Sequence, residues 1–170
     1  IAHPAINALL PSLDRFLAFY ADDGGCDEGP SYWGRAGASL FDCLELLYSA
    51  SAGKIDFYGL PLVREIGRYI VRTHIDDDWY VNFADASPRI SVNGELIYRY
   101  GKRINDSKLM AQGAYGASLR SEGRRSSGSV ARTLDSLLLE KEIAGAPKQA
   151  PLVLDVWLSG TQVFVARRAE

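Results

Sequence analysis

The sequence is poor in the residues that usually hold metals or cross-link a chain. Its 170 residues include two cysteines, two histidines and one methionine. Two cysteines cannot build a disulfide framework, and the spacing of Cys26 and Cys43 is not that of a zinc site. Cys43 falls among apolar residues of a helical pattern, which favours a packing role, although a bond from it to Cys26 stays open. We expect no metal and no cofactor.

An excess of charge of one sign and long apolar runs are also missing. Nineteen Lys and Arg residues against 21 Asp and Glu residues give a formal net charge of −2, so neither nucleic acid nor a charged membrane surface is expected as a partner. No apolar run approaches the ~20 residues of a membrane-spanning helix. The hydrophobic share of 47% suffices to bury a core as one domain. Because the chain opens at Ile1 without Met, we expect an excised or processed piece.

The most informative stretch covers residues 22–42, DDGGCDEGPSYWGRAGASLFD. A loop rich in Gly, Asp and Pro brings Glu28, Tyr32 and Trp33, followed by Arg35, to the start of a helix whose apolar spacing is amphipathic. A carboxylate, a phenol, an indole and a guanidinium are therefore expected together at the N-terminal end of a buried helix. On the residues alone, Tyr32 and Trp33 could instead staple the loop to the helix.

A second informative loop covers residues 76–89, DDDWYVNFADASPR. It mixes aromatic rings with amides and carboxylates, a combination that suits sugars, because ring faces pack on C–H groups and polar side chains bond to hydroxyls. Trp79, Asn82 and Asp85 are its candidate binding residues. The alternative has Asn82 and Asp85 capping turns and Trp79 half buried. Three consecutive aspartates could suggest calcium, but the twelve-residue ligand pattern is absent.

Helical spacing recurs along most of the chain. It predicts helices over residues 34–51, from Pro61, from Glu95, over residues 108–119 and from Ser129. For the third of these, Asn93-Gly94 leaves a β-hairpin as the alternative.

Two further expectations concern particular side chains of these helices. His74 is expected at the end of the helix that begins at Pro61, where a cation is favoured. The helix that begins at Ser129 is expected to turn four apolar side chains inward. These are Val130, Leu134, Leu137 and Leu138.

The composition of the chain changes after the fourth helix. Residues 120–129, RSEGRRSSGS, are basic and rich in Ser and Gly, which predicts a solvated loop or, alternatively, a rim that attracts an anionic polysaccharide. Residues 144–151 are typical of a linker, and residues 152–154 and 161–166 are typical of strands. Since a few strands cannot bury a sheet face alone, we expect them to lie against the helices or to be irregular.

The segment DGGCDEGPSYWGRAGASLFDCLELL resembles the heparinase II/III-like family of polysaccharide lyases. The segments EIGRYI, NFADASPR and LIYRYGKRI are similar to those that follow in that family, in the same order, so the resemblance covers nearly the whole chain. It implies a mainly α fold, an incomplete α/α toroid of antiparallel helical hairpins over residues 1–146. Residues 147–170 would then be a linker and the first strands of a β-sandwich domain.

The resemblance also implies a function, the β-elimination of uronic-acid polysaccharides. Tyr32 matches the position of the family's catalytic tyrosine. A bacterial periplasmic or secreted location is implied, with an anionic polysaccharide or oligosaccharide and the missing N- and C-terminal parts of a longer enzyme as partners. The residues expected to bind the substrate are Glu28, Trp33, Arg35, Trp79, Asn82 and Asp85.

To act as a base, Tyr32 must first lose its own proton. This is unfavourable near neutral pH, because the unperturbed pKa of tyrosine is about 10. Arg35, three residues on, would favour the phenolate if both residues are helical, whereas Glu28 would oppose it. Alternatively, Tyr32 stays protonated and donates to the departing glycosidic oxygen. In lyases of this family a single tyrosine can serve both steps on one face of the sugar.

The chain departs from the family at the partners of that tyrosine. The resemblance implies an Asn or His before Ile1 that neutralises the substrate carboxylate, and a His-containing loop after Glu170. His3 and His74 match neither motif. We therefore expect the isolated 170-residue chain to be a weak or inactive lyase.

Two other functions stay open on the sequence. In the first, the chain is a non-catalytic helical carbohydrate-binding domain, and Tyr32, Trp33 and Trp79 only stack on sugar. In the second, it is a glycoside hydrolase on a similar toroid, which needs two carboxylates across the scissile bond. Glu28 and Asp85 are the best pair for that role.

Overall fold

The computed structural model describes residues 2–119 and 129–168, so most of the predicted basic loop lies outside it. Within these ranges the chain is mainly helical, with two short antiparallel sheets. None of the described helices is long and apolar enough to cross a membrane. The helices are α1 (Ala2–Leu17), a 3₁₀ helix (Pro30–Gly34), α2 (Gly37–Ala50), α3 (Pro61–Arg72), α4 (Gly94–Ile104), α5 (Ser107–Ser118) and α6 (Val130–Ala144). The strands are β1 (His74–Asp76), β2 (Trp79–Tyr80), β3 (Val156–Leu158) and β4 (Val163–Val165).

Most helix starts follow the signals in the sequence. Pro61 opens α3, and the Asn93 side chain accepts a hydrogen bond from Leu96 N at 2.9 Å at the start of α4. This cap stabilises the helix, so the hairpin alternative is wrong here. Ser129 caps α6 in the same way, since its side chain accepts from Arg132 N.

The predicted helix over residues 34–51 is wrong at its start. The chain first forms the 3₁₀ helix, and the backbone N–H groups of Arg35 and Ala36 both donate to Tyr32 O at 2.9 Å. The α-helical run begins afterwards, at Gly37. A Cβ at Gly37 would lie 2.4 Å from Trp33 Nε1, so the indole packs directly on the helix backbone. The tight 3₁₀ turn brings Trp33 into this contact.

Three stacked rings hold the centre of the core. The ring of Tyr100, on α4, lies 4.7 Å from the ring of Phe41 on α2 and 6.4 Å from the ring of Trp33. Trp33 is 2% exposed, and its Nε1 donates to Ile66 O at 2.7 Å. The Tyr100 hydroxyl donates to Val63 O at 2.7 Å. Both polar groups are therefore satisfied on α3, which ties four elements together.

Helix α6 packs through its charged face, the reverse of the prediction. Arg132 pairs with Asp42 of α2 at 2.5 Å, and Asp135 pairs with Arg99 of α4 at 2.6 Å. Ile143 is buried on the same side. The side chains expected to point inward are all more than half exposed: Val130, Leu134, Leu137 and Leu138. Residues 132, 135, 139, 142 and 143 share the opposite face at helical spacing, and the ion pairs along it fix the rotation of the helix.

The two C-terminal strands lie against the helices, which confirms that expectation. Val156, Leu158 and Val165 are buried in the same hydrophobic cluster as the helical core. The predicted strand over residues 152–154 is wrong, because this segment is irregular. Arg167 Nη1 donates to Val153 O at 2.6 Å, so a side chain takes a carbonyl that a strand partner would otherwise use.

His74 lies two residues beyond the end of α3, in β1, and not at the helix terminus as predicted. Its ring is buried edge-on against Tyr80 and Tyr115, with centroid distances of 5.0 and 5.7 Å. Its Nε2 lies 3.0 Å from Asp77 O. Burial lowers the pKa of His74 below its ordinary value, with a smaller contribution from nearby Arg167.

The inverted packing of α6 can be tested by substitution. Leu138→Gln should change the free energy of unfolding by no more than about 0.5 kcal/mol, because Leu138 is 83% exposed. Ile143→Ala on the same helix should cost about 2 kcal/mol or more, since it empties a buried site. Urea unfolding followed by circular dichroism measures both. A larger loss for Leu138→Gln than for Ile143→Ala would contradict this packing.

The role of Trp33 in the core gives a second test. Trp33→Phe should lower the free energy of unfolding by about 1–3 kcal/mol, because the phenyl ring cannot donate to Ile66 O and leaves part of its site empty. Trp79→Phe is the matched control and should change the stability by less than about 0.5 kcal/mol. Equal stability of the two variants in urea unfolding would refute a structural role for the Trp33 indole.

His74 should make the stability depend on pH. Its pKa is lower in the folded chain than in the unfolded chain, so the unfolded chain binds more protons. The free energy of unfolding should therefore fall as the pH drops below about 6.5, and His74 should have no effect well above that value. Urea unfolding between about pH 5 and 8 measures this. His74→Phe keeps the ring contacts and should flatten the slope; an unchanged slope would exclude His74 as its source.

Candidate functional site

The two loops singled out in the sequence lie against each other. Ser87 N donates to Ser31 Oγ at 3.3 Å, which joins the 3₁₀ helix to the loop that follows β2. Gly29 has a φ of 92°, and a Cβ there would lie 2.4 Å from Ala86 Cβ. Glycine alone suits both the backbone angle and the close approach. The loop that carries Glu28 and Tyr32 is therefore anchored on the loop that carries Asn82 and Asp85.

A cavity of about 220 Å³ opens beside this junction. One wall is the 3₁₀ helix, through Ser31 and Trp33, and another is the backbone strap of residues 90–93. Ile70 contributes apolar surface from α3. Arg132, from α6, is the charged residue among the described residues that line it. The cavity thus combines an apolar wall with one cation, a composition typical of small-ligand sites.

Tyr32 is half buried at the edge of this region. Both of its sequence neighbours line the cavity, whereas Tyr32 itself is not among the lining residues. Its ring packs against the main hydrophobic cluster. Its hydroxyl forms no hydrogen bond with any other residue that the structure describes. A phenol in this position is held by its ring and keeps its polar end available.

The other tyrosines are placed differently. Six of their hydroxyl groups take part in side-chain hydrogen bonds, those of Tyr58, Tyr69, Tyr80, Tyr98, Tyr100 and Tyr115. Tyr20 is oriented inward and its hydroxyl is buried without a partner among the described residues. The ring of Tyr48, on α2, lies under the guanidinium of Arg103 at 4.4 Å. Tyr32 therefore differs from the other tyrosines. It is partly exposed, its hydroxyl has no hydrogen-bond partner among the described residues, and no described guanidinium lies over its ring.

Trp33 cannot present a ring face to a sugar. The indole is buried, its N–H is bonded to Ile66 O, and Tyr100 stacks on the ring. The predicted stacking role of Trp33 is therefore wrong, and the alternative, in which it staples the loop to the helix, describes its position. Trp33 is still among the residues that line the cavity.

Trp79 is 46% exposed and keeps the capacity to stack. Arg89 lies over its ring at 5.3 Å and also pairs with Asp78 at 2.9 Å. Asn82 Nδ2 donates to Ala86 O at 2.8 Å, so this amide holds the turn of its own loop, as the alternative prediction has it. Asp85 is exposed.

Glu28 and Arg35 are both exposed. Within residues 2–119 and 129–168, the Arg35 side chain forms no ion pair with Glu28 and no hydrogen bond with the Tyr32 hydroxyl; the two residues are joined only through the backbone, where Arg35 N donates to Tyr32 O. The expected support of a Tyr32 phenolate by Arg35 is therefore not made in this structure. The reason is the 3₁₀ helix, which ends at Gly34 and leaves Arg35 as its C-terminal cap.

Two of the aspartates considered for metal binding are engaged with other side chains, and the two cysteines are not cross-linked. Asp78 pairs with Arg89, and the Tyr115 hydroxyl donates to Asp77 Oδ1 at 3.0 Å. No group of three or more His, Cys, Asp or Glu among the described residues is arranged to hold a metal ion. Cys26 and Cys43 are both free thiols, so the bond between them that the sequence left open is not present.

Sequence reasoning missed Arg132 and the strap over residues 90–93. Arg132 lies about a hundred positions after Tyr32, and the leucines of its helix favoured the opposite orientation of α6. The ion pair with Asp42 explains why Arg132 reaches the cavity, since it turns that face of α6 toward α2. The available signal was the i, i+3 spacing of Arg132 and Asp135, two opposite charges on one side of an amphipathic helix.

Comparison with known proteins leaves the family open. No protein-family model matches the chain, and no curated protein is significantly similar to it. The resemblance to heparinase II/III-like lyases thus stays a prediction, carried by the sequence segments quoted above. The function has to be argued from the geometry of the site.

Proposed function

We propose that this chain carries the tyrosine acid/base centre of a polysaccharide lyase that cleaves uronic-acid-containing polysaccharide by β-elimination. On this proposal its helices form part of an α/α toroid, and it acts in the periplasm or outside the cell. The observation that carries the proposal is the position of Tyr32. Its hydroxyl has no hydrogen-bond partner among the described residues, and both of its sequence neighbours line a cavity that Arg132 also lines. One of these neighbours, Ser31, joins the two loops by accepting a hydrogen bond from Ser87 N.

The reaction needs one group that can both take and return a proton. As a phenolate, Tyr32 would remove the proton from C5 of the uronate, and the electron pair of that C–H bond would form the C4=C5 double bond. The bond from C4 to the glycosidic oxygen then breaks, and the Tyr32 hydroxyl gives the proton to that oxygen. The phenolate is regenerated, so protons and electrons balance without a cofactor.

Burial argues against four of the other tyrosines in this role. It raises the pKa of Tyr69, of Tyr80 and of Tyr100, because the phenolate is poorly solvated inside the core. The pKa of Tyr58 is raised by burial and by its hydrogen bond to Glu45. A base must also reach the substrate. These residues meet neither requirement.

One observation favours a second function, a sugar-binding domain without catalysis. Trp79 offers an exposed indole at the loop next to the junction, which is the usual stacking group for a sugar ring. The two functions differ in what Tyr32 does. In a binding domain its hydroxyl is dispensable, whereas in a lyase it is the reacting group.

The substitution Tyr32→Phe separates them. The chain is incubated with mannuronate, guluronate and glucuronate oligosaccharides, and unsaturated products are detected by absorbance and mass spectrometry. We expect weak turnover by the unaltered chain and a loss of about 100-fold or more in Tyr32→Phe, which is the size of a missing general acid/base. Binding of the oligosaccharide should persist.

Tyr48→Phe is the matched control, because Tyr48 is also a partly exposed tyrosine but lies away from the cavity, and it should leave turnover unchanged. Saturated products would favour a hydrolase that uses Glu28 and Asp85. Binding without any product, equal in both variants, would favour the binding domain and contradict the lyase.

A further inference from the structure

We propose that Arg132 determines the specificity of this site by binding a substrate carboxylate, and that the negative charge of Asp42 on the same guanidinium weakens that binding. This inference rests on the proposed function, since a uronate is the ligand. It adds a residue from α6 that neither the sequence segments of the resemblance nor the two loops contain.

The position of Arg132 is the first argument. Its side chain is 17% exposed, and it lines the cavity together with the strap over residues 90–93. Around the cavity the described lining is otherwise apolar or neutral, with Ser31, Ser91 and Asn93 as the polar members. A partly buried cation facing neutral groups attracts an anion more strongly than a solvated surface cation does.

The bonding of the guanidinium is the second argument. Arg132 Nε donates to Asp42 Oδ2 at 2.7 Å, and Nη2 lies 2.5 Å from the same oxygen. A guanidinium has five N–H donors. Nη1 has no partner among the residues that the structure describes, so a carboxylate can bind there without displacing Asp42. Asp42 therefore uses only some of the N–H donors of the guanidinium. The planar arrangement of these donors suits a carboxylate better than a neutral hydroxyl.

Asp42 sets how strongly the site attracts that carboxylate. It neutralises most of the charge of Arg132 at short range, and it also holds α6 against α2. Removing its charge while keeping its shape should therefore leave a stronger anion site. Asp135 offers a matched comparison, because it also forms an ion pair between α6 and a neighbouring helix, but its partner Arg99 does not line the cavity, whereas Arg132 does.

Neutralising the carboxylate would serve the reaction as well as binding. When the C5 proton leaves, negative charge builds on the adjacent carboxylate, and a fixed cation lowers the cost of that charge. Arg132 would thus discriminate a free uronate from its ester. Arg132 would act on substrate binding and on the charge that builds on the carboxylate, while Tyr32 would transfer the proton.

The test measures binding of a uronate trisaccharide to the full 170-residue chain by calorimetry, with the methyl ester of the same trisaccharide as the uncharged probe. Arg132→Gln should weaken binding of the free acid by about tenfold or more and leave the ester unchanged. Asp42→Asn should tighten binding of the acid severalfold. Asp135→Asn, which removes the same charge from the chain, should have no such effect.

A substitution that removes the contact of α6 with α2 can also unfold the chain. Each variant is therefore checked by circular dichroism and thermal unfolding. Arg132→Lys keeps the charge without the fork and should give an intermediate loss; if Arg132→Gln does not fold, this variant and Asp42→Asn decide. Equal losses for acid and ester, no gain in Asp42→Asn, or no binding of the acid by the unaltered chain would each overturn the inference.

The outcomes also separate this inference from the lyase proposal. Acid binding that depends on Arg132, without any unsaturated product, would remove the lyase and leave the carboxylate site. Unsaturated product that depends on Tyr32, with acid binding indifferent to Arg132, would do the opposite.

Discussion

The contact of Trp33 with α3 and α4 is the constraint on which the rest of the site depends. A short 3₁₀ helix has few internal hydrogen bonds and no stability of its own. It keeps its place because the indole N–H is bonded to Ile66 O and the ring stacks on Tyr100. With Trp33 anchored in this way, Ser31 faces the cavity and Tyr32 rests on the core with its hydroxyl unused. Trp33, which has the largest aromatic side chain of this segment, therefore has a structural role. The adjacent Tyr32 is the residue that we propose as the reacting group.

A second constraint acts from the other side of the cavity. Helix α6 turns Arg132 toward α2 and Asp135 toward α4, and it leaves three of its four leucines in solvent. Partly buried ion pairs are weak evidence for stability, but they define one rotation of a helix that could otherwise pack on either face. That rotation delivers Arg132 to the cavity. The aromatic contact of Trp33 thus positions one part of the cavity lining, and the ion pair of Arg132 with Asp42 positions another.

Local signals in the sequence predicted much of the secondary structure. Pro61, Asn93 and Ser129 each mark a helix start that the structure has, because caps and prolines act within a few residues. The same kind of reasoning failed at the start of α2 and at residues 152–154. In the first case the tertiary contacts of Trp33, its hydrogen bond to Ile66 O and its stacking on Tyr100, select a 3₁₀ turn. In the second, Arg167 takes the backbone carbonyl of Val153 from more than ten residues away.

The amino-acid sequence alone was sufficient for a mainly helical class and for the two loops that carry the aromatic and polar candidates. Both follow from spacing and composition within short windows, whereas the choice of Tyr32 came from the resemblance to a family and stays a prediction. The tertiary structure decided three other features. These are the burial of Trp33, the outward orientation of three leucines of α6 and the presence of Arg132 at the cavity. Each depends on which distant surfaces meet, and periodicity shows that a helix has two faces without showing which of them finds a partner.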